Sequence, residues 1–166
     1  MKKAVLITAL ICFLAPLSAR APKRPLVEIG PKANLYIGED VRIGFGAEAL
    51  ISPIRGFSLR TEVTELSFGD YTAFNLNYGA LYGSSLDGLI HIPMRSIAPY
   101  IHAGMGFLII DDFTLINIRA GMGLNYNLKR GFDIFIEPGI IIQDISEVDA
   151  DVIFRLSFGG RFGLLK

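Results

Sequence analysis

The sequence predicts an all-β fold: one closed, eight-stranded, antiparallel up-and-down transmembrane β-barrel. Three observations predict it. Apolar residues recur at every second position over stretches that match the roughly 9–11 residues a tilted strand needs to cross a bilayer, against about 5–6 for an ordinary strand. No stretch is apolar and long enough for a membrane-spanning helix. The charged residues of the alternating segments fall on the parity opposite to the apolar ones.

Composition sets the outer bounds. The chain has 166 residues, 16 Lys+Arg against 16 Asp+Glu, 51% hydrophobic residues, 18 Gly, one Cys and no Trp. That length suits a single domain. The apolar content and near-zero net charge exclude a disordered chain. A single Cys excludes an internal disulfide framework. The absence of a basic surplus argues against a nucleic-acid partner.

Residues 1–21 read as a removable secretory signal peptide. Met1-Lys2-Lys3 is a basic start, Ala4 to Leu17 is almost wholly apolar, and Ser18-Ala19-Arg20-Ala21 supplies small residues for cleavage after Ala19 or Ala21. The apolar run is shorter than the roughly 20 residues that span a bilayer as a helix. Cys12 lies inside this run after Ile11, which is too large for a lipoprotein signal. Residues 22–166 then form the barrel domain. Removal of Lys2, Lys3 and Arg20 leaves it with a small negative net charge.

The strands follow in order as 26–37, 41–52, 57–68, 84–94, 99–110, 113–127, 132–143 and 151–165. The first alternates from Leu26 to Gly38. In the second, Val41, Ile43, Phe45, Ala47, Ala49 and Ile51 share one face, and Arg42, Gly44, Gly46 and Glu48 the other. The third carries Arg60 and Glu62 on the polar parity. Glu65 falls on the apolar one unless a bulge near Thr64 moves it. Gly88 and Pro93 interrupt the fourth, which on an alternative reading begins near Tyr71. The fifth starts at Pro99. In the sixth, Ile116, Ile118, Ala120, Met122, Leu124 and Tyr126 alternate with Asn117, Arg119, Gly121, Gly123 and Asn125. In the seventh, Phe132, Ile134, Ile136, Pro138, Ile140 and Ile142 oppose Asp133, Glu137, Gly139 and Gln143, with Phe135 and Ile141 as apolar intruders on the polar side. The eighth sets Val152, Phe154, Leu156, Phe158, Phe162 and Leu164 against Arg155, Ser157, Gly159 and Arg161.

Gly38-Glu39-Asp40, 52–56, 95–98, Asp111-Asp112, 129–131 and Ser146-Glu147 are turn signals between strands. Gly69 to Gly83, rich in Tyr and Asn, is the longest expected loop. The longest charge-free stretch, Tyr71 to Leu86, holds two Asn, two Gly and two Ser, which does not make a spanning helix. Even-numbered closed barrels are the β solution a bilayer accepts, because they leave no unpaired edge.

Charge decides which face meets lipid. Glu28, Lys32, Arg42, Glu48, Arg60, Glu62, Asp87, Arg119, Asp133, Glu137, Arg155 and Arg161 all fall on the polar parity, six of each sign. An Arg facing lipid at mid-bilayer costs about 2–4 kcal/mol. Turned inward, these residues can pair into a lumenal network. Gly44, Gly46, Gly104, Gly106, Gly121, Gly123 and Gly159 share that parity, leaving room for them in a lumen only wide enough for side chains to fill.

At this point the residues resemble a family. Leu26 to Gly38 looks like its alternating first strand. Pro99-Tyr-Ile-His-Ala-Gly-Met-Gly106 is similar to its P-Y-x-x-x-G-x-G strand after a tight turn. Ser157-x-Gly159-x-x-Phe162-x-Leu164 fits its C-terminal insertion signal, although Leu165-Lys166 follow where the family ends on an aromatic residue. The chain thus resembles the small eight-stranded outer-membrane β-barrels of Gram-negative bacteria, the OmpA-barrel, OmpX and OmpW-like group of porin-like barrel domains. The resemblance implies the cell outer membrane as location and export by the signal peptide. It implies contact with outer-membrane lipid and lipopolysaccharide, and passage by periplasmic chaperones and the outer-membrane assembly machinery. The alternation and the leader together lead to the expected function: an integral outer-membrane protein with a structural, envelope-integrity role and a side-chain-filled interior, as a monomer without a cofactor.

Chemistry-bearing patterns are sparse. His91 and His102 are the only histidines, and neither forms a spaced metal-ligand pair, so no metal is expected. Ser84 or Ser85 near His91 could serve a lipid-modifying barrel enzyme, but no nucleophile–base motif is present and no catalytic residue is expected. Ala103-Gly-Met-Gly106 and Ala120-Gly-Met-Gly123 echo each other without the third Gly of a dinucleotide loop. A narrow channel for small solutes, a lipid-modifying enzyme, and a secreted soluble barrel of the lipocalin type remain as alternatives.

Overall fold

The computed structural model describes residues 24–68, 75–78, 84–92, 94, 97–110, 113–129, 131–143 and 151–165. Nine strand segments run in chain order: β1 (Val27–Ile37), β2 (Val41–Ile54), β3 (Phe57–Phe68), β4 (Asn75–Tyr78), β5 (Ser84–His91), β6 (Ile97–Ile110), β7 (Phe113–Lys129), β8 (Phe132–Gln143) and β9 (Asp151–Leu165). Every pairing is antiparallel, and β1 pairs with both β2 and β9, so the sheet closes. Both β4 and β5 pair with β3, β4 along Thr64–Ser67 and β5 along Phe57–Arg60. They are successive parts of one stave, and the barrel has eight. Followed once around the ring, the register returns displaced by about ten residues, which tilts eight strands by roughly 35–45°. A 12-residue strand at that tilt rises about 30 Å.

The up-and-down order defines two ends. The termini end carries the start of β1, the end of β9, and the turns β2–β3, β5–β6 and β7–β8. The loop end carries β1–β2, β3–β4, β6–β7 and β8–β9, while β4–β5 lies within one stave. Gly56 and Gly131 hold positive φ (79° and 86°) in turns at the termini end, where a Cβ would strain the tight reversal.

Several boundaries differ from the expectation. β2 continues through Pro53 to Ile54, because a register shift between Ile51 and Ile54 absorbs the proline and Arg55-Gly56 alone make the turn. β6 begins at Ile97, and β7 runs on to Lys129, which leaves the turn before β8 shorter than the polar residues suggested. β5 ends at His91 rather than at 94. The expected loop 69–83 is interrupted by β4, whose Asn-Leu-Asn-Tyr alternation is short and polar enough to read as loop. The rest of that loop, the turn Asp111-Asp112 and the segment 144–150 lie outside the described residues. On β3 the register shifts opposite Ala47 and Glu48, with Val63 as the extra residue, so Glu65 pairs with Gly46.

The two faces are inverted relative to a water-soluble barrel. Among the described residues, Arg60, Arg119, Arg155 and Arg161 head the fully buried side chains, each at most 1% exposed. Phe45, Val63, Leu86, Ile101, Met122 and Phe158 stand outward, each about half exposed or more. Exposed apolar residues run from Ile37, Val41 and Val152 near the loop end to Leu26, Ile54, Leu128 and Leu165 near the termini end.

A pair of identical substitutions separates space from turn geometry. A Cβ at Gly159 would fall on the Pro31 carbonyl oxygen and lie 2.9 Å from Lys32 Cα, whereas one at Gly131 meets nothing within 4 Å. Gly159→Asn should destabilise the barrel by at least the about 1–3 kcal/mol of overpacking, while Gly131→Asn stays within about 1 kcal/mol because Asn tolerates the left-handed region. Equilibrium unfolding in urea measures both.

Candidate functional site

The lumen is built in levels. At the termini end Glu28 (β1), Asp133 (β8) and His91 (β5) face Arg24, which precedes β1. The next level is apolar: Leu50, Leu89 and Tyr100 pack together, and the Arg161 guanidinium lies over Phe135 (4.0 Å) and Tyr100 (5.2 Å). Phe135 breaks the polar parity of its strand because it forms part of this shelf.

Above the shelf the charges converge on two hubs. Arg60 is the first. Its Nε and Nη2 donate to Asp87 Oδ2 (2.9 and 2.8 Å), its Nη1 donates to Glu137 Oε2 (2.5 Å), and Glu48 Oε2 stands 3.6 Å from Nη1. Arg161 Nε donates to Glu48 Oε1 (2.6 Å), and Tyr100 Oη donates to Glu137 Oε2 (2.7 Å). Glu62 is the second hub. It accepts from Lys32 Nζ, from Arg119 Nη1 (3.0 Å) and from Arg155 Nη1 (2.8 Å). Arg155 joins the hubs, because its Nη2 also donates to Glu137 Oε1 (3.0 Å). Asn117 and Asn34 extend the network upward, accepting from Arg119 (2.8 Å) and Ser157 (2.6 Å). Tyr36, Ile141 and Ile153 then form a second apolar cluster toward the loop end. A multiply paired charge layer thus lies between two apolar levels.

The glycine echo has a steric cause. Gly104 and Gly106 of β6 stand opposite Arg119 and Asn117 of β7, and Gly121 and Gly123 of β7 stand opposite His102 and Tyr100 of β6. A Cβ at Gly123 would strike the Tyr100 ring, and one at Gly106 would strike Asn117 and come within 2.9 Å of Arg119. Each small residue gives its lumenal volume to a large polar neighbour on the next strand.

Eleven residues of the predicted charge set lie in these levels: Glu28, Lys32, Glu48, Arg60, Glu62, Asp87, Arg119, Asp133, Glu137, Arg155 and Arg161. Arg42 does not. It has the right parity but sits beyond the upper apolar level, 3.6 Å from Asp40, with both side chains more than 40% exposed. Arg24 supplies the sixth cation instead, and alternation could not find it because it precedes the first strand. Tyr100 was legible as part of the inward series with His102 and Gly104, but its hydroxyl role depends on Glu137 arriving from another strand. The terminal-strand residues divide by face: Ser157 and Gly159 point inward, while Phe162 stacks on Phe132 (4.6 Å between centroids) and, like Leu164, is exposed outward.

His91 meets Ser58, not Ser84 or Ser85. Its Nε2 lies 3.0 Å from Ser58 Oγ, which is 2.8 Å from Ser52 Oγ. Its Nδ1 lies 3.4 Å from Arg24 Nη1. Arginine only donates, so Nδ1 accepts and Nε2 carries the proton toward Ser58. That polarity is the reverse of what a general base needs to activate a serine. Among the described residues no three His, Cys, Asp or Glu side chains converge as a metal set.

No known protein family matches the chain, and no curated protein matches it. Solved structures do. A de novo designed transmembrane β-barrel superposes with a TM-score of 0.53 at 16% identity, covering 87% of this chain and 99% of that one. The N-terminal β-barrel domain of Pseudomonas aeruginosa OprF superposes with a TM-score of 0.52 at 17% identity, covering 84% and 98%. At these identities the likeness is one of fold, and the fold shared is the small closed barrel.

Glu137 and Arg42 separate network from rim. Glu137→Ala leaves Arg60, Arg155 and the Tyr100 hydroxyl without their shared acceptor and should cost about 3–5 kcal/mol. Arg42→Ala removes a solvent-exposed pair and should cost at most about 1 kcal/mol. Urea midpoints of the two variants against the parent provide the comparison.

Proposed function

We propose that this chain is an integral outer-membrane β-barrel with a structural, envelope-stabilising role and a lumen filled by its own side chains. The observation that carries the reading is the inversion of faces: buried arginines inside, an apolar coat outside. A lipocalin-type soluble barrel needs the opposite arrangement. Lipid is the surrounding in which such a coat is stable, since an exposed apolar wall of this size in water would drive association.

The outer membrane is the membrane this reading names, on the strength of the leader read in residues 1–21 and the terminal pattern Ser157, Gly159, Phe162, Leu164. In that pattern Phe162 and Leu164 stand outward at the end of the last strand, where assembly machinery and periplasmic chaperones could grip the chain. The termini end then faces the periplasm, and the loop end meets lipopolysaccharide. The filled lumen favours the structural role over a solute channel: the charges are mutually paired and lie between two apolar levels. The donor polarity at Ser58 and His91 weighs against the enzyme reading.

Depth-dependent substitution tests the membrane reading. Phe158, midway along β9, should resist a charge, with Phe158→Arg costing about 2–4 kcal/mol, while Val152→Arg near the loop end costs about 0–1 kcal/mol. Unfolding from bilayers should show this gradient, and the mature protein should partition into detergent rather than buffer. Equal costs at both positions, or a detergent-free soluble protein, would overturn the reading. Steady single-channel currents in planar bilayers would replace the filled lumen with a pore.

A further inference from the structure

Arg24 lies outside every strand, yet its side chain is only 9% exposed. The backbone on its C-terminal side explains why. Leu26 N–H donates to the Leu165 carbonyl (2.7 Å), and Ser52 N–H donates to the Leu26 carbonyl (2.8 Å), so this residue is tied to β9 and β2 at once. Pro25 lies over Gly163, where a Cβ would run into the proline ring. Residues 24–26 are thereby anchored at the rim, and the Arg24 guanidinium points into the lumen.

There it meets three groups from three strands. Its Nε and Nη2 donate to the Glu28 carboxylate (3.1–3.2 Å), Nη2 donates to Asp133 Oδ2 (3.1 Å), and Nη1 faces His91 Nδ1 (3.4 Å). Two of the three acceptors are fixed from behind: Asn127 Nδ2 donates to Asp133 Oδ1 (2.7 Å), and Ser58 holds His91 Nε2. No other described cation lies within ion-pair distance of Glu28 or Asp133. Two carboxylates and a ring nitrogen around one planar group suit the fork of a guanidinium better than the point charge of an ammonium.

We propose that the mouth at the termini end is a guanidinium-binding site filled in cis by Arg24, which makes residues 24–26 a strap that closes the lumen at that end. The site is independent of which membrane holds the barrel. Because the ligand is tethered, its effective concentration is high, and only a variant without it exposes the site to a free competitor.

Thiol accessibility tests this. Residues 22–166 contain no cysteine, so an introduced one is the single probe on the barrel. Ser58→Cys places a thiol just behind His91, and Gln143→Cys places one at the loop end. With Arg24 present, a charged maleimide should label Ser58→Cys slowly. Arg24→Ala should raise that rate at least tenfold, Arg24→Lys should give an intermediate rate, and Gln143→Cys should be unaffected. Millimolar guanidinium chloride should slow labelling of the Arg24→Ala protein again, where equal potassium chloride does not. An unchanged Ser58→Cys rate would overturn the strap. An equal rise at Gln143→Cys would show general loosening and overturn it too. Absence of the guanidinium effect would overturn the binding site. Heat-modifiable gel migration confirms closure of each variant, and Arg24→Lys keeps the test alive if the alanine variant does not close.

Discussion

The structure depends on one constraint: charges placed inside a narrow closed sheet must find each other. Removed from water, an unpaired guanidinium or carboxylate costs several kcal/mol, and its partner's attraction offsets this only when geometry is good and every donor is used. Arg60, Glu62 and Glu137 meet that condition by sharing. Each serves at least three partners, drawn from strands far apart in sequence. The network is therefore non-local, and it is tied to barrel closure: Arg60 on β3 and Glu137 on β8 can meet only if the sheet has curled into a ring.

That constraint explains the composition of the rest. Glycines stand opposite the largest lumenal residues because eight staves leave too little room for side chains on both. Phe135, Ile141 and Ile153 interrupt an otherwise polar interior because the charge layer is bounded above and below by apolar residues. The outer coat follows from the same parity. With polar residues committed inward, the alternation of a strand sends every second residue outward, and these are Ile, Leu, Phe, Val and Met. The 51% hydrophobic content is thus a coat more than a core.

The sequence made parity legible and partnership illegible. A period of two places Arg119 and Glu62 on one face wherever their strands begin, so inward residues could be assigned before any strand was paired. It cannot say that Glu62 collects Lys32, Arg119 and Arg155, which depends on register and shear summed over several strands. Arg42 shows the limit from the other side: parity alone put it with the buried set, but height along the axis puts it in solvent. Arg24 was illegible for a different reason, since it lies in a non-repeating arm where no period applies. β4 was hidden because four alternating residues are too few to outweigh their Asn and Tyr content. The Val63 bulge was partly visible, as the one place where a charge fell on the apolar parity.

On the proposed reading, the apolar parity meets lipid while the charged parity fills the lumen. Spin labels at the outward positions 152, 154, 158, 162 and 164 of β9, in the protein reconstituted in bilayers, test it most directly. Collision with dissolved oxygen should peak at 158 and fall toward both ends, with an aqueous nickel reagent showing the inverse profile. Uniform access of the nickel reagent along the strand would place that face in water and contradict the account.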